Sequence, residues 1–120
     1  MTDRIVKVLE QGKFVLRGIQ KTGNNPILAL DSDETLDVNF DWSTWLGSDT
    51  IASVANEVTG VTIASATNDT TTASFKVSGS YSGYVEHRIT TAAGLTKEVM
   101  LFVYVDDFPV SDDYGLGWRL

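Results

Sequence analysis

The chain has 120 residues, which is enough for one domain with a modest hydrophobic core. It contains no cysteine, so disulfide bonds, thiolate chemistry and cysteine-based zinc sites are excluded. The net charge of −7 argues against a nucleic-acid partner, because phosphate contacts need a concentrated basic surface. Residues 1–30 contain no apolar run long enough for a signal peptide or membrane span, so we expect cytoplasmic synthesis and no membrane partner.

The N-terminal segment, residues 1–30, is predicted to be an extension or arm able to form a β-hairpin of its own. Two short apolar alternations, IVKVL and KFVLRGI, are separated by Glu10-Gln11-Gly12, and a further short strand, PILAL, follows. The segment is too short to bury its apolar residues alone, so these residues are predicted to contribute to an interface with a partner. These residues are Ile5, Val6, Phe14 and Val15.

Charge is distributed unevenly along the chain. Residues 1–30 carry five basic and two acidic residues, a net charge of +3, whereas residues 31–60 carry seven acidic residues and no basic one. This asymmetry suggests that the arm of one copy contacts the body of another. Charges that only keep the surface soluble would produce the same pattern, and the sequence does not separate the two interpretations.

The central segment, residues 31–106, has the period-two alternation and the Val, Ile, Thr and aromatic content of β-strands. Runs at residues 36–42, 50–58, 61–66, 71–78, 84–91 and 95–105 are separated by turn residues, and no helical stripe of useful length occurs. The spacing predicts an all-β fold, an immunoglobulin-like antiparallel β-sandwich of about seven strands, with an N-terminal β extension and a C-terminal tail. Its core anchors are predicted to be Phe40, Trp42, Phe75 and Ile89.

The stretch NFDWSTWLG, residues 39–47, places two tryptophans three positions apart. Alternation assigns Trp42 to the core, where a buried indole contributes a large apolar area. Ser43 to Leu46 is predicted to form one turn of helix, with Ser43 as its N-cap and Gly47 at its end. The direction of Trp45 stays open, since it can cover the end of the sandwich or face outward.

No group of residues has the pattern of a catalytic, cofactor or metal site. His87 is the only histidine and lies within a predicted strand, with no nucleophile motif such as G-x-S-x-G nearby. The acidic run at residues 31–34 suggests calcium, but it lacks the glycine and the bidentate glutamate of a calcium loop. We therefore predict a protein that is not an enzyme and binds no cofactor or metal.

The C-terminal segment, residues 107–120, is predicted to be a docking tail. It combines aspartates, glycines and a proline with large apolar residues that a free tail seldom needs. We expect it to dock on this chain or on a neighbour through Phe108, Tyr114, Trp118 and Leu120.

Three short motifs resemble those of the fibre-tail adaptors of tailed bacteriophages. They are D-W-S-x-W-L at residues 41–46, D-T-I-A-S at 49–53 and R-I-T-T-A-A-G at 88–94, and the resemblance covers residues 34–105. It implies an immunoglobulin-like structural protein of the virion tail, made in the host cytoplasm, that joins the tail tube or nozzle to fibres or spikes. It also implies several copies in a symmetric assembly and contacts with other tail proteins.

Two alternatives remain at this point. A carbohydrate-binding module would use Trp45, Tyr81 or Tyr84 as a sugar platform. A capsid decoration protein would share the fold and occupy the head of the particle instead of the tail.

Overall fold

A computed structural model describes residues 4–10, 13–22 and 25–106, with Thr22 and Asp106 described by their backbone alone. Ten strands and one helical turn occur within these residues. They are β1 (Ile5–Val8), β2 (Phe14–Arg17), β3 (Gln20–Thr22), β4 (Asn25–Asp31), β5 (Thr35–Asp41), α1 (Ser43–Leu46), β6 (Ile51–Thr59), β7 (Thr62–Asn68), β8 (Thr72–Ser78), β9 (Gly83–Thr91) and β10 (Thr96–Asp106). The strands from β4 onward follow the predicted runs closely.

The strands form two five-stranded sheets that enclose one hydrophobic core. The first sheet has the order β2-β1-β5-β8-β7, and the second has the order β3-β4-β10-β9-β6. Inward side chains of the two sheets form a single buried cluster, because alternate residues of each strand point to the same face. The all-β sandwich predicted from the sequence is confirmed.

Each sheet contains one parallel pair, which differs from the fully antiparallel sandwich that was predicted. In the first sheet β1 runs parallel to β5, with Val6 opposite Phe40. In the second sheet β4 runs parallel to β10, with Leu28 opposite Val103. Parallel neighbours need a crossover connection. Here the chain passes from β1 and β2 in the first sheet to β3 and β4 in the second, and then back to β5.

The N-terminal strands belong to the sandwich, so the predicted boundary at residue 30 does not separate an arm from a body. β1 lies between β2 and β5, and the side chains of Val6 and Val8 are fully buried in the shared core. Arg4 adds a link, since its Nε donates to the Asp37 carbonyl at 2.9 Å and its guanidinium pairs with the Asp37 carboxylate at 2.9 Å. The predicted hairpin exists as β1 and β2, but it forms one edge of the first sheet.

The four predicted core anchors lie in the core. Phe40, Trp42 and Ile89 have no exposed surface, and Phe75 is 2% exposed. The rings of Phe40 and Phe75 are 5.6 Å apart on neighbouring strands β5 and β8. Burying side chains of this size supplies much of the apolar area that stabilises a domain without disulfides.

The helical turn α1 forms where it was predicted, but its start is capped differently. Trp42 occupies the N-cap position and Ser43 is the first helical residue. The carboxylate of Asp41 accepts hydrogen bonds from the Ser43 backbone N–H at 3.0 Å and from its hydroxyl at 2.6 Å. Gly47 ends the turn with φ +62°, a conformation that favours glycine.

Candidate interface

Trp42 is fixed in the core by a chain of side-chain hydrogen bonds. Its indole Nε1–H donates to Nε2 of His87 at 3.1 Å, and Nδ1 of His87 lies 2.7 Å from the amide oxygen of Asn56. An indole can only donate, so Nε2 of His87 must be unprotonated. Nδ1 therefore carries the proton and donates it to Asn56, which defines one neutral tautomer.

Burial keeps His87 neutral. Its side chain has no exposed surface and its ring stacks on that of Phe40, with centroids 4.1 Å apart. Burial lowers the pKa of His87 from 6.5 to about 4, because the imidazolium form would lose its hydration. A crevice of about 130 Å³ between the edge strands β6 and β7 reaches Asn56 and His87. The histidine thus holds a structural position between the two sheets.

The other two sequence motifs meet at one end of the sandwich. The carboxylate of Asp49 accepts the backbone N–H of Thr50 at 2.8 Å and that of Ala93 at 3.2 Å. Ala92 N–H donates to the carbonyl of Thr50 at 2.9 Å. The Thr91 hydroxyl, followed by the Thr50 amide, lowers the pKa of Asp49, so the carboxylate stays ionised. Asp49 therefore ties the loop after α1 to the turn between β9 and β10.

Asp69 makes a similar set of hydrogen bonds, which stabilises the turn between β7 and β8. Its carboxylate accepts the backbone N–H groups of Thr71 at 2.9 Å and Thr72 at 2.8 Å, together with the Thr72 hydroxyl. The amides of Thr71 and Thr72 are the main cause of the lowered pKa of Asp69. The carbonyl of Thr71 in turn accepts the backbone N–H of Trp42 at 2.9 Å. Residues of the three motifs, together with Asp69, therefore have a structural role: they hold the loops at this end of the sandwich.

Trp45 packs inward. Its ring meets that of Trp42 edge-on, with centroids 5.6 Å apart and an angle of 74°, and the half-buried side chain packs against the core. Tyr84 has a different orientation: it alternates with the buried residues Val85 and His87 on β9 and faces outward beside Phe102. Trp45 and Tyr84 therefore do not form one sugar-binding platform.

The outer surface of the second sheet carries a continuous apolar area, which we call the apolar face. Ile27, Phe102 and Tyr84 are direct neighbours on β4, β10 and β9, and Tyr104 pairs with Ala29 in the next row. Tyr104 is 51% exposed, and the rings of Tyr84 and Phe102 meet edge-on at 6.4 Å. A shallow groove of about 370 Å³ crosses this area, bounded also by Ser82 and Gly83. An exposed patch of this kind is typical of a protein-binding surface.

On the side of the apolar face away from Asp31 and Asp106, charged residues follow along β6, β9 and β10. Glu57 and Glu86 are cross-strand neighbours, and Arg88 pairs with Glu98 at 3.0 Å. Partial desolvation, together with the nearby Glu98 and Glu57, raises the pKa of Glu86. Among residues 4–10, 13–22 and 25–106, no three histidine or acidic side chains come together in a group that could hold a metal ion.

The predicted interface residues have different positions. Val6 is a core residue and does not reach the surface, because it points from β1 into the space between the two sheets. Ile5 and Phe14 are half-buried, and Val15, on the edge strand β2, is 53% exposed. Phe108, Tyr114, Trp118 and Leu120 lie outside the described residues.

The apolar face was missed in the sequence, although a signal for it exists. Met100 to Val105 reads MLFVYV, in which every residue is apolar, so both faces of β10 are apolar over this stretch. A strand with one solvent-exposed face normally alternates apolar and polar residues, whereas a continuous apolar run indicates that both faces make contacts. Met100, Phe102 and Tyr104 are the outward members of that run, and the last two belong to the apolar face.

The fold and its surface define a structural β-sandwich whose polar side chains mainly hold its loops and whose outer face is suited to contact with protein. Residues 30–104 match the family described as podophage GP4 fiber-tail adaptor protein gp77. The chain belongs to this family, and it is a structural component of the bacteriophage tail. Comparison with curated proteins finds no match. No helix among the described residues is long and apolar enough to cross a membrane.

Proposed function

We propose that this protein joins the tail tube or nozzle of the virion to its fibres or spikes by protein–protein contacts. The family match over residues 30–104 carries the proposal, because an adaptor has one partner on each side. The role is structural and needs no catalytic step. On this proposal the protein is made in the host cytoplasm and assembles in several copies.

The surface of the sandwich supports contacts of this kind. Within the part of the chain that the structure describes, four strands, β2, β3, β6 and β7, lie at sheet edges and offer backbone groups for strand addition by a partner. The apolar face and the exposed side chain of Val15 offer two further contact areas on different sheets. The terminal residues Phe108, Tyr114, Trp118 and Leu120 supply apolar groups for docking on neighbours. Weak contacts become firm when symmetry repeats them around the tail.

Particles assembled without this protein test the proposal. We expect them to retain a head and tube but to lack attached fibres, as seen by negative-stain microscopy and by the fibre content of purified particles. Supplying the full chain in trans should restore the fibres. Particles with a normal number of fibres in the absence of the protein would contradict the adaptor function.

A second experiment tests the terminal docking residues. A chain without residues 107–120 should be incorporated into particles less than the full chain, because its apolar docking groups are missing. The Val15→Ser variant tests the β2 contact area separately in the same assay. Unchanged incorporation of the shortened chain would remove the tail from the proposal and leave the sandwich contacts in place.

A further inference from the structure

The apolar face has a shape and chemistry that select an extended apolar segment. Its outward side chains form two rows across β4, β10 and β9, the first with Ile27, Phe102 and Tyr84 and the second with Ala29 and Tyr104. Successive outward positions on a strand are about 6.6 Å apart. The groove between them is lined by uncharged residues. A partner that presents apolar side chains at the same spacing would fit.

The C-terminal part of this chain has that spacing. Residues 114–120 read YGLGWRL, in which Tyr114, Leu116, Trp118 and Leu120 alternate with small or polar residues. In extended conformation this pattern places all four apolar side chains on one side over about 20 Å. The fourteen residues after Asp106 can span about 46 Å, which exceeds the 25 Å width of the molecule.

The charge distribution favours docking of this segment on a neighbouring copy over docking on its own molecule. To reach the apolar face of its own sandwich, the chain would have to reverse direction directly after β10. β10 ends with Asp106 opposite Asp31, and the turn at residues 31–34 adds Asp33 and Glu34. Reversal would bring the acidic residues of 107–113 against this acidic end, where like charges repel. A segment that continues outward avoids the repulsion and meets another molecule.

We infer that residues 107–120 of one copy dock on the apolar face of a second copy, with Trp118 and Tyr114 against Phe102 and Tyr104. This inference rests on the proposed function, in which several copies assemble around the tail. The contact is heterologous, because a tail meets a sheet, so repetition generates a ring when the rotation closes. The apolar face would then link adaptor to adaptor and leave the sheet edges for other tail proteins.

Self-association of the purified full chain tests the inference. Sedimentation velocity over a roughly hundredfold range of concentration should show oligomers that increase with concentration. Trp118→Ala and Tyr104→Ser should each raise the dissociation constant at least about tenfold, since aromatic anchors dominate such contacts. The double variant should be little weaker than either single variant, because both changes remove the same contact. Leu95→Ser is the control, as Leu95 is 57% exposed at the other end of the second sheet.

A mixing experiment identifies the receptor. The Trp118→Ala chain keeps an intact face and the Tyr104→Ser chain keeps an intact tail, so their mixture should associate more strongly than either variant alone. Far-ultraviolet circular dichroism checks that both the Tyr104→Ser and the Trp118→Ala chains fold. Association that neither variant weakens would overturn the inference, as would hydrogen-exchange protection of residues 114–120 that is independent of concentration. If either result occurred while particles without the protein lacked fibres, the adaptor function would stand without this contact.

Discussion

His87 shows how one buried polar residue fixes the centre of this sandwich. It accepts a hydrogen bond from Trp42 and donates one to Asn56, so it connects the end of β5 to β6 across the core. The arrangement works only for neutral imidazole, because a protonated Nε2 would face the indole N–H donor. The protonation state of His87 is therefore part of the fold, and stability should depend on pH through this residue.

We expect the free energy of unfolding to decrease as pH falls from about 6.5 to about 4. The pKa of His87 is about 4 in the folded protein and 6.5 in the unfolded chain, so over this range the unfolded state binds a proton that the folded state excludes. Above pH 6.5 both states are neutral and the effect vanishes. The full difference in the free energy of unfolding amounts to about 3 kcal/mol, because each unit of difference between these two pKa values corresponds to about 1.4 kcal/mol.

Urea unfolding at several pH values measures this dependence. His87→Gln is the matched variant, since glutamine keeps polar groups in the cavity but does not titrate. Its stability should change much less than that of the natural protein between pH 4 and 6.5. Asp49 and Asp69 have lowered pKa values and contribute to both proteins below this range. Parallel curves for the two proteins would show that His87 is not the source.

At the scale of elements, two backbone segments approach each other closely where the chain leaves β6 for β7, next to the start of β9. Gly60 lies at φ +81° after β6, and Gly83 begins β9 directly beside the backbone of Thr59. A Cβ atom on Gly83 would overlap the carbonyl oxygen of Thr59, so the close approach of these two segments requires glycine. This corner borders the groove of the apolar face, and Tyr84 follows Gly83 directly on β9.

Gly83→Ala should destabilise the protein by roughly 1 to 3 kcal/mol, because the added methyl group forces the β6 and β9 backbones apart. Gly79→Ala is the control. A Cβ atom on Gly79 would lie 3.3 Å from its nearest neighbours, which are atoms of Val61, so the loss of stability should stay within about 1 kcal/mol. Thermal and urea unfolding of both variants provide the comparison. Equal stability of the two variants would mean that the corner adjusts without cost.

At the scale of the whole molecule, the N-terminal residues complete the sandwich. β1 lies between β2 and β5 in the first sheet, and β4 occupies the corresponding position between β3 and β10 in the second. Val6 and Val8 from β1 and Leu28 and Leu30 from β4 belong to the same buried cluster as Phe40. A core shared in this way makes the described strands one cooperative unit.

Substitutions of two valines in the N-terminal segment test whether the described strands unfold as one cooperative unit. Val6→Ala should lower the free energy of unfolding by roughly 1 to 3 kcal/mol, because it removes buried methyl groups and leaves a cavity. Val15→Ala should change it by no more than about 0.5 kcal/mol, since Val15 is 53% exposed at a sheet edge. Denaturant unfolding followed by tryptophan fluorescence, to which the buried Trp42 contributes, reports on both. If Val6→Ala left the free energy of unfolding unchanged, β1 would have to be regarded as a separate arm.

The sequence by itself determined the strands of residues 31–106, the burial of Trp42 and Phe40, the helical turn after Asp41 and the family. These features depend on local alternation and on short motifs, which a single segment expresses without reference to distant residues. Sequence reasoning did not find that β1 and β4 enter the sheets, nor that His87 is the partner of Trp42.

Only the tertiary structure decided those points, together with the position of the apolar face. Alternation tells which side of a strand is apolar, but it does not identify the neighbouring strand, and pairing partners here are as far apart as residues 27 and 102. Val6 was therefore assigned to an interface until β5 was seen beside it. Phe102 and Tyr104 likewise form a surface only because β4 and β9 bring Ile27 and Tyr84 to either side of β10.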